Sequence, residues 1–122
     1  MSSFTVPYST VNWFKTALAG HGEVVSFNVT DHHYFQIRRK KAPQNLNVVL
    51  VNTYTIGLAD VLKARQEFPD ATCIVTNGNW SSYTSEAKEF GLQNHFGVFN
   101  TSEFLGALHW EEFHKYEKPE EN

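Results

Sequence analysis

An apolar run, a helical pattern and a second apolar run follow one another in this chain, and their order limits its fold more than any other feature. The first run is 48–51 (Val-Val-Leu-Val), the helical pattern covers 58–68, and the second run is 73–75 (Cys-Ile-Val). Two buried strands joined by a helix form a βαβ unit with a right-handed crossover. Open α/β sheets bind their ligands at the carboxyl ends of such strands. The polar loops that follow Val51 and Val75 are therefore the first candidates for a site.

Length and composition indicate a single domain. The chain has 122 residues, of which 41% are hydrophobic and 15% aromatic, enough for one good core. We expect this domain to span 1–116 and a charged, frayed tail to cover 117–122. No apolar run approaches the roughly 18 residues that a bilayer span needs, and the first residues lack the pattern of a signal peptide. With the lone Cys73 inside a β-branched run, the sequence predicts a cytoplasmic protein without a membrane partner.

The first half of the chain predicts a helix followed by three strands. Ser9 or Thr10 is expected to cap the helix through its hydroxyl group, and Gly20 to end it. Strands are predicted over 23–30, 34–41 and 47–53, the third apolar on both faces as in a strand covered by helices on both sides. The expected inward residues of the first helix and first two strands are Trp13, Phe14, Ala17, Leu18, Val25, Phe27, Val29, Phe35 and Ile37.

The second half predicts two further helix–strand units and a last helix. A helix over 56–68 precedes a strand over 72–76, and Thr84 caps a short helix that ends at Gly91. A strand over 97–99 leads to Asn100, which begins the last helix in a capping box with Glu103. Leu58, Val61, Leu62 and Arg65 recur at helical spacing in the first of these helices, and Phe104, Leu105 and Leu108 are expected to face inward in the last. The order α-β-β-β-α-β-α-β-α predicts an α/β domain with three layers, α/β/α, around a mixed sheet of about five strands.

This order resembles the core of the restriction-endonuclease-like fold, and in particular the Mrr-like restriction endonucleases. The stretches that carry the resemblance are 74–78 (Ile-Val-Thr-Asn-Gly), 84–87 (Thr-Ser-Glu-Ala), 98–100 (Val-Phe-Asn) and 103–105 (Glu-Phe-Leu). It covers most of 9–108. It implies a nuclease ancestry, in which an acid on the second strand and a Glu or Gln two positions before a Lys on the third strand hold a divalent metal.

Laid on this chain, the family's catalytic positions are largely lost. The acid would be Asp31, in the turn before the second strand, while the third strand has Leu50 and Asn52 at the Glu/Gln and Lys positions. Leucine cannot bind a metal and asparagine carries no charge. The resemblance therefore implies a catalytically degenerate module without a cofactor, and we lean against an enzyme. Mg²⁺ would be required only by a rearranged nuclease site, for which Asp31, Gln36 and Arg38 are weak candidates.

Two segments offer contacts for nucleic acid. The run 38–41 (Arg-Arg-Lys-Lys) could follow a phosphate backbone. The more usual interpretation is that it is the end of a strand, whose long charged side chains keep a sheet edge soluble. The loop 77–83 places Trp80 and Tyr83 among Asn and Ser, where they could stack on a base or cover the end of the sheet. Asn52 and Tyr54 are expected at the same sheet end. A net charge of −3 argues against holding duplex DNA by bulk electrostatics.

The sequence thus leaves two functions open. The first is a nucleic-acid-associated module that binds DNA or RNA through Arg38, Arg39, Lys40, Asn52, Tyr54, Trp80 and Tyr83. The second is a protein-interaction or regulatory module, a homo-oligomer or a partner-binding domain, that uses Trp80, Tyr83, Trp110 and Phe113. The six histidines do not show the spacing of a metal site, so no metal is assigned.

Overall fold

The computed structural model describes residues 4–40, 44–77 and 81–117. Its helices are α1 (Tyr8–Ala19), α2 (Leu58–Glu67), α3 (Ser85–Gln93) and α4 (Thr101–Ala107), followed by a single 3₁₀ turn, Phe113–Lys115. Its strands are β1 (Val24–Thr30), β2 (Tyr34–Arg39), β3 (Leu46–Val51), β4 (Thr55–Ile56), β5 (Cys73–Thr76), β6 (Ser82–Tyr83) and β7 (Gly97–Asn100). None of the helices in these ranges has the length and apolar character needed to cross a membrane.

The main sheet has five strands in the order β1-β2-β3-β5-β7. β1, β2 and β3 form an antiparallel meander, whereas β3, β5 and β7 run parallel. The α/β class and the mixed five-stranded sheet predicted from the sequence are confirmed, and the four helices are consistent with the three-layer arrangement.

Two apolar clusters lie on opposite faces of this sheet, and β3 separates them. The first cluster joins α1, α4 and one face of the sheet, with Val48 and Leu50 from β3. The second cluster joins α2, α3 and the other face, with Val49 and Val51 from β3. All four side chains are at most 1% exposed, as the apolar run predicted.

A second, two-stranded sheet was not predicted. β4 and β6 pair in parallel, with Thr55 opposite Ser82 and Ile56 opposite Tyr83. Ile56 belongs to β4, and its side chain is buried in the second cluster. The predicted start of α2 at residue 56 is therefore wrong, because the helix begins at Leu58. Two residues per strand are too few for a periodic pattern, so this pairing has no signal in the sequence.

Several buried faces differ from the predicted ones. α1 begins after Pro7, and neither Ser9 nor Thr10 caps it. A bulge between Val24 and Ser26 turns Val25 outward, leaving it 54% exposed. In α1 the buried positions include Thr10 and Val11, and Trp13 from the predicted apolar face is exposed. In α2 the buried positions are Val61 and Ala64, and Leu62 and Arg65 from the residues at helical spacing are exposed.

The predicted caps of α3 and α4 are confirmed. The hydroxyl oxygen of Thr84 accepts a hydrogen bond from the backbone N–H of Ala87 at 3.1 Å. The side-chain oxygen of Asn100 accepts from the N–H of Glu103 at 2.9 Å, and the Glu103 carboxylate accepts from the N–H of Asn100 at 3.3 Å. Gly91 lies within α3, because the helix continues to Gln93.

Gly91 is required by a close approach of backbone. A methyl group built on Gly91 would overlap the carbonyl oxygen of Phe96. The two residues are held this close by a hydrogen bond of 2.8 Å from the N–H of Phe96 to the carbonyl oxygen of Gly91. We expect Gly91→Ala to lower the free energy of unfolding by about 1–3 kcal/mol, since the helix must shift to admit the methyl group. Urea denaturation measures this difference.

Gly22→Ala is the control for this prediction, because a methyl group there meets no atom within 4 Å. The control should change stability by no more than about 0.5 kcal/mol. Equal stability of the two variants would contradict the predicted overlap.

Candidate functional site

One part of the sheet's second face lies beyond the helices that cover the rest. Among the described residues, the second cluster includes Tyr34 from β2 and no residue from β1. Because side chains alternate along a strand, Gln36 and Arg38 share the face of Tyr34. They therefore lie beyond the covered part of the sheet, next to the polar side of β1.

Polar side chains converge on this uncovered area. The strand register places Asn28 opposite Gln36 and Ser26 opposite Arg38. The Asn28 amide donates to Oε1 of Gln36 at 2.8 Å. Phe27 and five polar residues line a shallow depression of about 230 Å³ here. We define the polar face as those five residues, namely Ser26, Asn28, Gln36, Arg38 and Asn45.

Arg38 is the one charged member of the polar face. Its side chain is exposed, and the described residues give it neither a hydrogen-bond acceptor nor an ion-pair partner. Its five N–H donors are consequently available to a ligand. Lys40, two residues further along, is also exposed, and its backbone N–H donates to the Glu23 carbonyl at 2.9 Å.

Arg39 has a different environment from its neighbours. It is only 4% exposed, because alternation along β2 places it on the face of Phe35 and Ile37. Its Nη1 donates to the carbonyl oxygens of Trp110 at 2.6 Å and Leu108 at 3.3 Å. The guanidinium group thus holds the segment that follows α4 against the sheet, and it is not accessible to a phosphate.

The other predicted binding residues lie at the carboxyl ends of β3 and β5. Asn52 is exposed and its side-chain oxygen accepts from the Asn77 amide at 3.3 Å, while Tyr54 is 75% exposed. Tyr83 is half-buried, and its hydroxyl donates to Oε2 of Glu103 at 2.7 Å. Burial raises the pKa of Tyr83, and the hydrogen bond to Glu103 raises it further. Trp80 and Lys41 lie outside the described residues.

The predicted nucleic-acid-binding residues therefore fall into two groups. Ile37, next to Arg38, pairs with Leu46 at the start of β3, whereas Asn52 follows the end of β3. The five steps from Leu46 to Val51 along β3 correspond to about 17 Å. The sheet consequently places Arg38 and Lys40 toward one of its ends, and Asn52, Tyr54 and Tyr83 at the other.

The candidates for a rearranged nuclease site are also separated. Asp31 lies in the turn between β1 and β2, with a φ of 49°, and is exposed. Arg38 is four residues beyond Tyr34, at the far end of the same hairpin, about 13 Å along the strand. Leu50 is buried in the first cluster. Within 4–40, 44–77 and 81–117, no group of three or more His, Cys, Asp or Glu side chains is arranged to hold a metal.

Comparison of the chain with protein-family models, with curated proteins and with solved structures gave no match. The geometry of the polar face and of the sheet ends therefore provides the evidence on function.

Sequence reasoning assigned no role to Ser26, Asn28 or Asn45. The signal for the first two was present, since alternation along β1 places them opposite the partly buried Phe27 and Val29. What the sequence did not show is that Ser26 and Asn28 stay exposed on this side of β1 among the described residues. Asn45 joins them only through the tertiary fold, just before β3 begins.

The arrangement predicts a clear difference between the two adjacent arginines. We expect Arg39→Ala to lower the free energy of unfolding by about 2–4 kcal/mol, because two carbonyl acceptors lose a charged donor and a buried side chain is removed. Thermal or urea unfolding measures the change. Arg38→Ala, at the exposed neighbouring position, should stay within about 0.5 kcal/mol of the parent chain. A similar loss in both variants would contradict the assignment of Arg39 to the core.

Two buried histidines make stability depend on pH. Burial lowers the pKa of His33, whose Nδ1 donates to the Leu50 carbonyl at 2.8 Å, and burial lowers the pKa of His114, which stacks on His95. Below the ordinary histidine pKa of about 6.5, the unfolded chain takes up protons that the folded chain resists. The unfolding temperature should therefore fall between pH 7.5 and 5.5, a window above the ordinary pKa range of carboxylates.

Calorimetry across this window tests the effect, and exposed His109 provides the control. His109→Gln should keep the fall, whereas His33→Gln should reduce it. An unfolding temperature that stays constant from pH 7.5 to 5.5 would rule out neutral, buried histidines.

Proposed function

We propose that this protein is a nucleic-acid-binding module without nuclease activity, and that single strands lie across its polar face. The observation that carries the proposal is the uncovered area of the sheet, where amide, hydroxyl and guanidinium groups converge beside Lys40. Amides and guanidinium groups hydrogen-bond the edges of bases, and cationic side chains contact phosphates.

A single strand suits this surface better than a duplex does. The polar face is shallow and belongs to a five-stranded sheet, on which unpaired bases can lie and present their edges. Arg38 and Lys40 are the accessible cations here among the described residues, and the net charge is −3, so we expect a modest affinity that salt weakens.

The absence of nuclease activity rests on the identity of the residues. If the chain descends from the restriction-endonuclease-like fold, the Glu/Gln position is taken by Leu50, which is buried in the core. The Lys position is taken by Asn52, which follows β3 and accepts a hydrogen bond from Asn77. Asp31 and Arg38 lie at opposite ends of their hairpin. The meander that continues into parallel strands supports this descent, and the side chains support binding without cleavage.

A protein-interaction function is the second candidate, and exposed tryptophan favours it. Trp110 is 50% exposed and makes an edge contact with Tyr116, and Trp13 on α1 is equally exposed. Phe113 is buried, and the hydroxyl group of Tyr83 is already hydrogen-bonded to Glu103, so neither offers a free side chain to a partner. Light scattering tests for a homo-oligomer, which Trp110→Ser or Trp13→Ser would disrupt.

Binding to labelled oligonucleotides tests the nucleic-acid proposal. We expect fluorescence anisotropy to show binding to single-stranded DNA or RNA that weakens steeply as salt rises, with weaker binding to duplexes. Arg38→Gln should reduce affinity about fivefold or more, because it removes a phosphate or base contact. Gel electrophoresis of the same samples with Mg²⁺ should show intact strands.

Lys15→Gln is the matched control, since Lys15 is an exposed cation on α1, on the other side of the sheet. It removes the same charge and should leave affinity within about twofold. Equal effects of the two variants would show that only net charge matters, and cleavage of the strands would disprove the degenerate site.

A further inference from the structure

An open pocket lies beside α3, away from the polar face. Its volume is about 520 Å³, and it is lined by Tyr83, Ser85, Lys88, Glu89 and Leu92. α3 supplies four of these residues, and β6 supplies the fifth. Lys88 is only 8% exposed, which is unusual for a lysine and more so for one that lines a pocket.

The amine of Lys88 has one hydrogen-bond acceptor among the described residues. Its Nζ donates to the carbonyl oxygen of Val98 at 2.9 Å, at the free side of the edge strand β7. It also lies 4.3 Å from the centre of the Phe99 ring and 5.0 Å from that of Tyr83. Within the described part of the chain, no carboxylate forms an ion pair with it. A neutral amine can make the Val98 bond and still hold a lone pair for another group.

Burial opposes the ammonium form of Lys88, whereas the faces of the Phe99 and Tyr83 rings support it. Burial lowers the pKa of Lys88, and the charges of Glu103 and Glu117 oppose this effect in part. The Glu103 carboxylate that would hold an ammonium group in its charged state is itself engaged by the Tyr83 hydroxyl and by the N–H of Asn100. Lysines become nucleophilic through desolvation of this kind.

We propose that Lys88 is a nucleophile that condenses with small aldehydes entering this pocket. The amine lone pair attacks the carbonyl carbon, a C–N bond forms, and the carbonyl electron pair moves to oxygen. The nitrogen loses a proton and the oxygen gains one, which gives a carbinolamine. Protonation of its hydroxyl from solvent at the open mouth releases water, and loss of the last N–H proton leaves a neutral imine. Amine and aldehyde thus become imine and water, with no oxidant or reductant consumed.

The lining of the pocket indicates an uncharged aldehyde. Glu89 places a carboxylate among the lining residues and would repel an anionic substituent, whereas the Ser85 hydroxyl can bond a hydroxyl group. Tyr83 and Leu92 add apolar surface. A small hydroxyaldehyde fits this chemistry, and an aldehyde acid does not.

Reductive trapping on the parent chain tests the proposal. The folded protein is incubated with glycolaldehyde and cyanoborohydride near pH 7.5, and peptide mass spectrometry quantifies the adduct at every lysine. We expect Lys88 to react at least about threefold faster than exposed Lys15. The labelling rate of Lys88 should also rise with pH, and its midpoint should lie at a lower pH than that of Lys15. Glyoxylate, the anionic comparison, should lose this preference for Lys88.

Lys88→Arg keeps an N–H donor for the Val98 carbonyl while removing the nucleophile. It should abolish the fastest labelling, and it should lower the unfolding temperature because the guanidinium group cannot lose its charge at this buried position. Labelling of Lys88 that is slower than that of Lys15 would overturn the proposal and assign Lys88 solely to the bond at the sheet edge. Since the mapping uses the parent chain, a variant that fails to fold would not affect this outcome.

Discussion

The alternation of side chains along β3 is the constraint on which the rest of the structure depends. Val48 and Leu50 contact one helical layer, while Val49 and Val51 contact the other. A shift of one residue in its pairing with β2 or β5 would exchange the two sets of side chains between the clusters. Both sets are apolar but differ in shape, so dense packing on each face stabilises the observed register. Through that register β3 also determines where β2 presents its polar side chains.

Much of the fold could be predicted because its signals are local and repeated. The run 48–51 indicated a doubly covered strand, and the caps at Thr84 and Asn100 marked the starts of α3 and α4. Two kinds of error remained. Short elements such as β4 and β6 have no periodicity, and helical faces can be rotated when apolar residues occur on more than one side, as Leu62 shows.

The site was harder to predict because accessibility is a tertiary property. The sequence shows Arg38 and Arg39 as one basic run, yet alternation along β2 leaves the first in solvent and buries the second. Lys88 is a similar case, since nothing in its local sequence shows that it reaches the free side of β7. The sequence shows Asn28 as a polar residue on β1, but its place on the polar face follows from its exposure and its hydrogen bond to Gln36 in the folded chain.

The small parallel sheet of β4 and β6 has a consequence for motion. The N–H of Ser82 donates to the Tyr54 carbonyl and the N–H of Thr84 donates to the Ile56 carbonyl, each at 2.9 Å. α2 and α3 begin within two residues of these strands, so the same bonds hold the first turns of both helices together. If the segment of β4 moves away, the N–H groups of Ser82 and Thr84 lose their acceptors, and the same bonds are lost if the segment of β6 moves. The amide protons of 55–57 and 82–84 should therefore exchange with solvent as one cooperative unit, and the two helices will loosen together rather than one at a time.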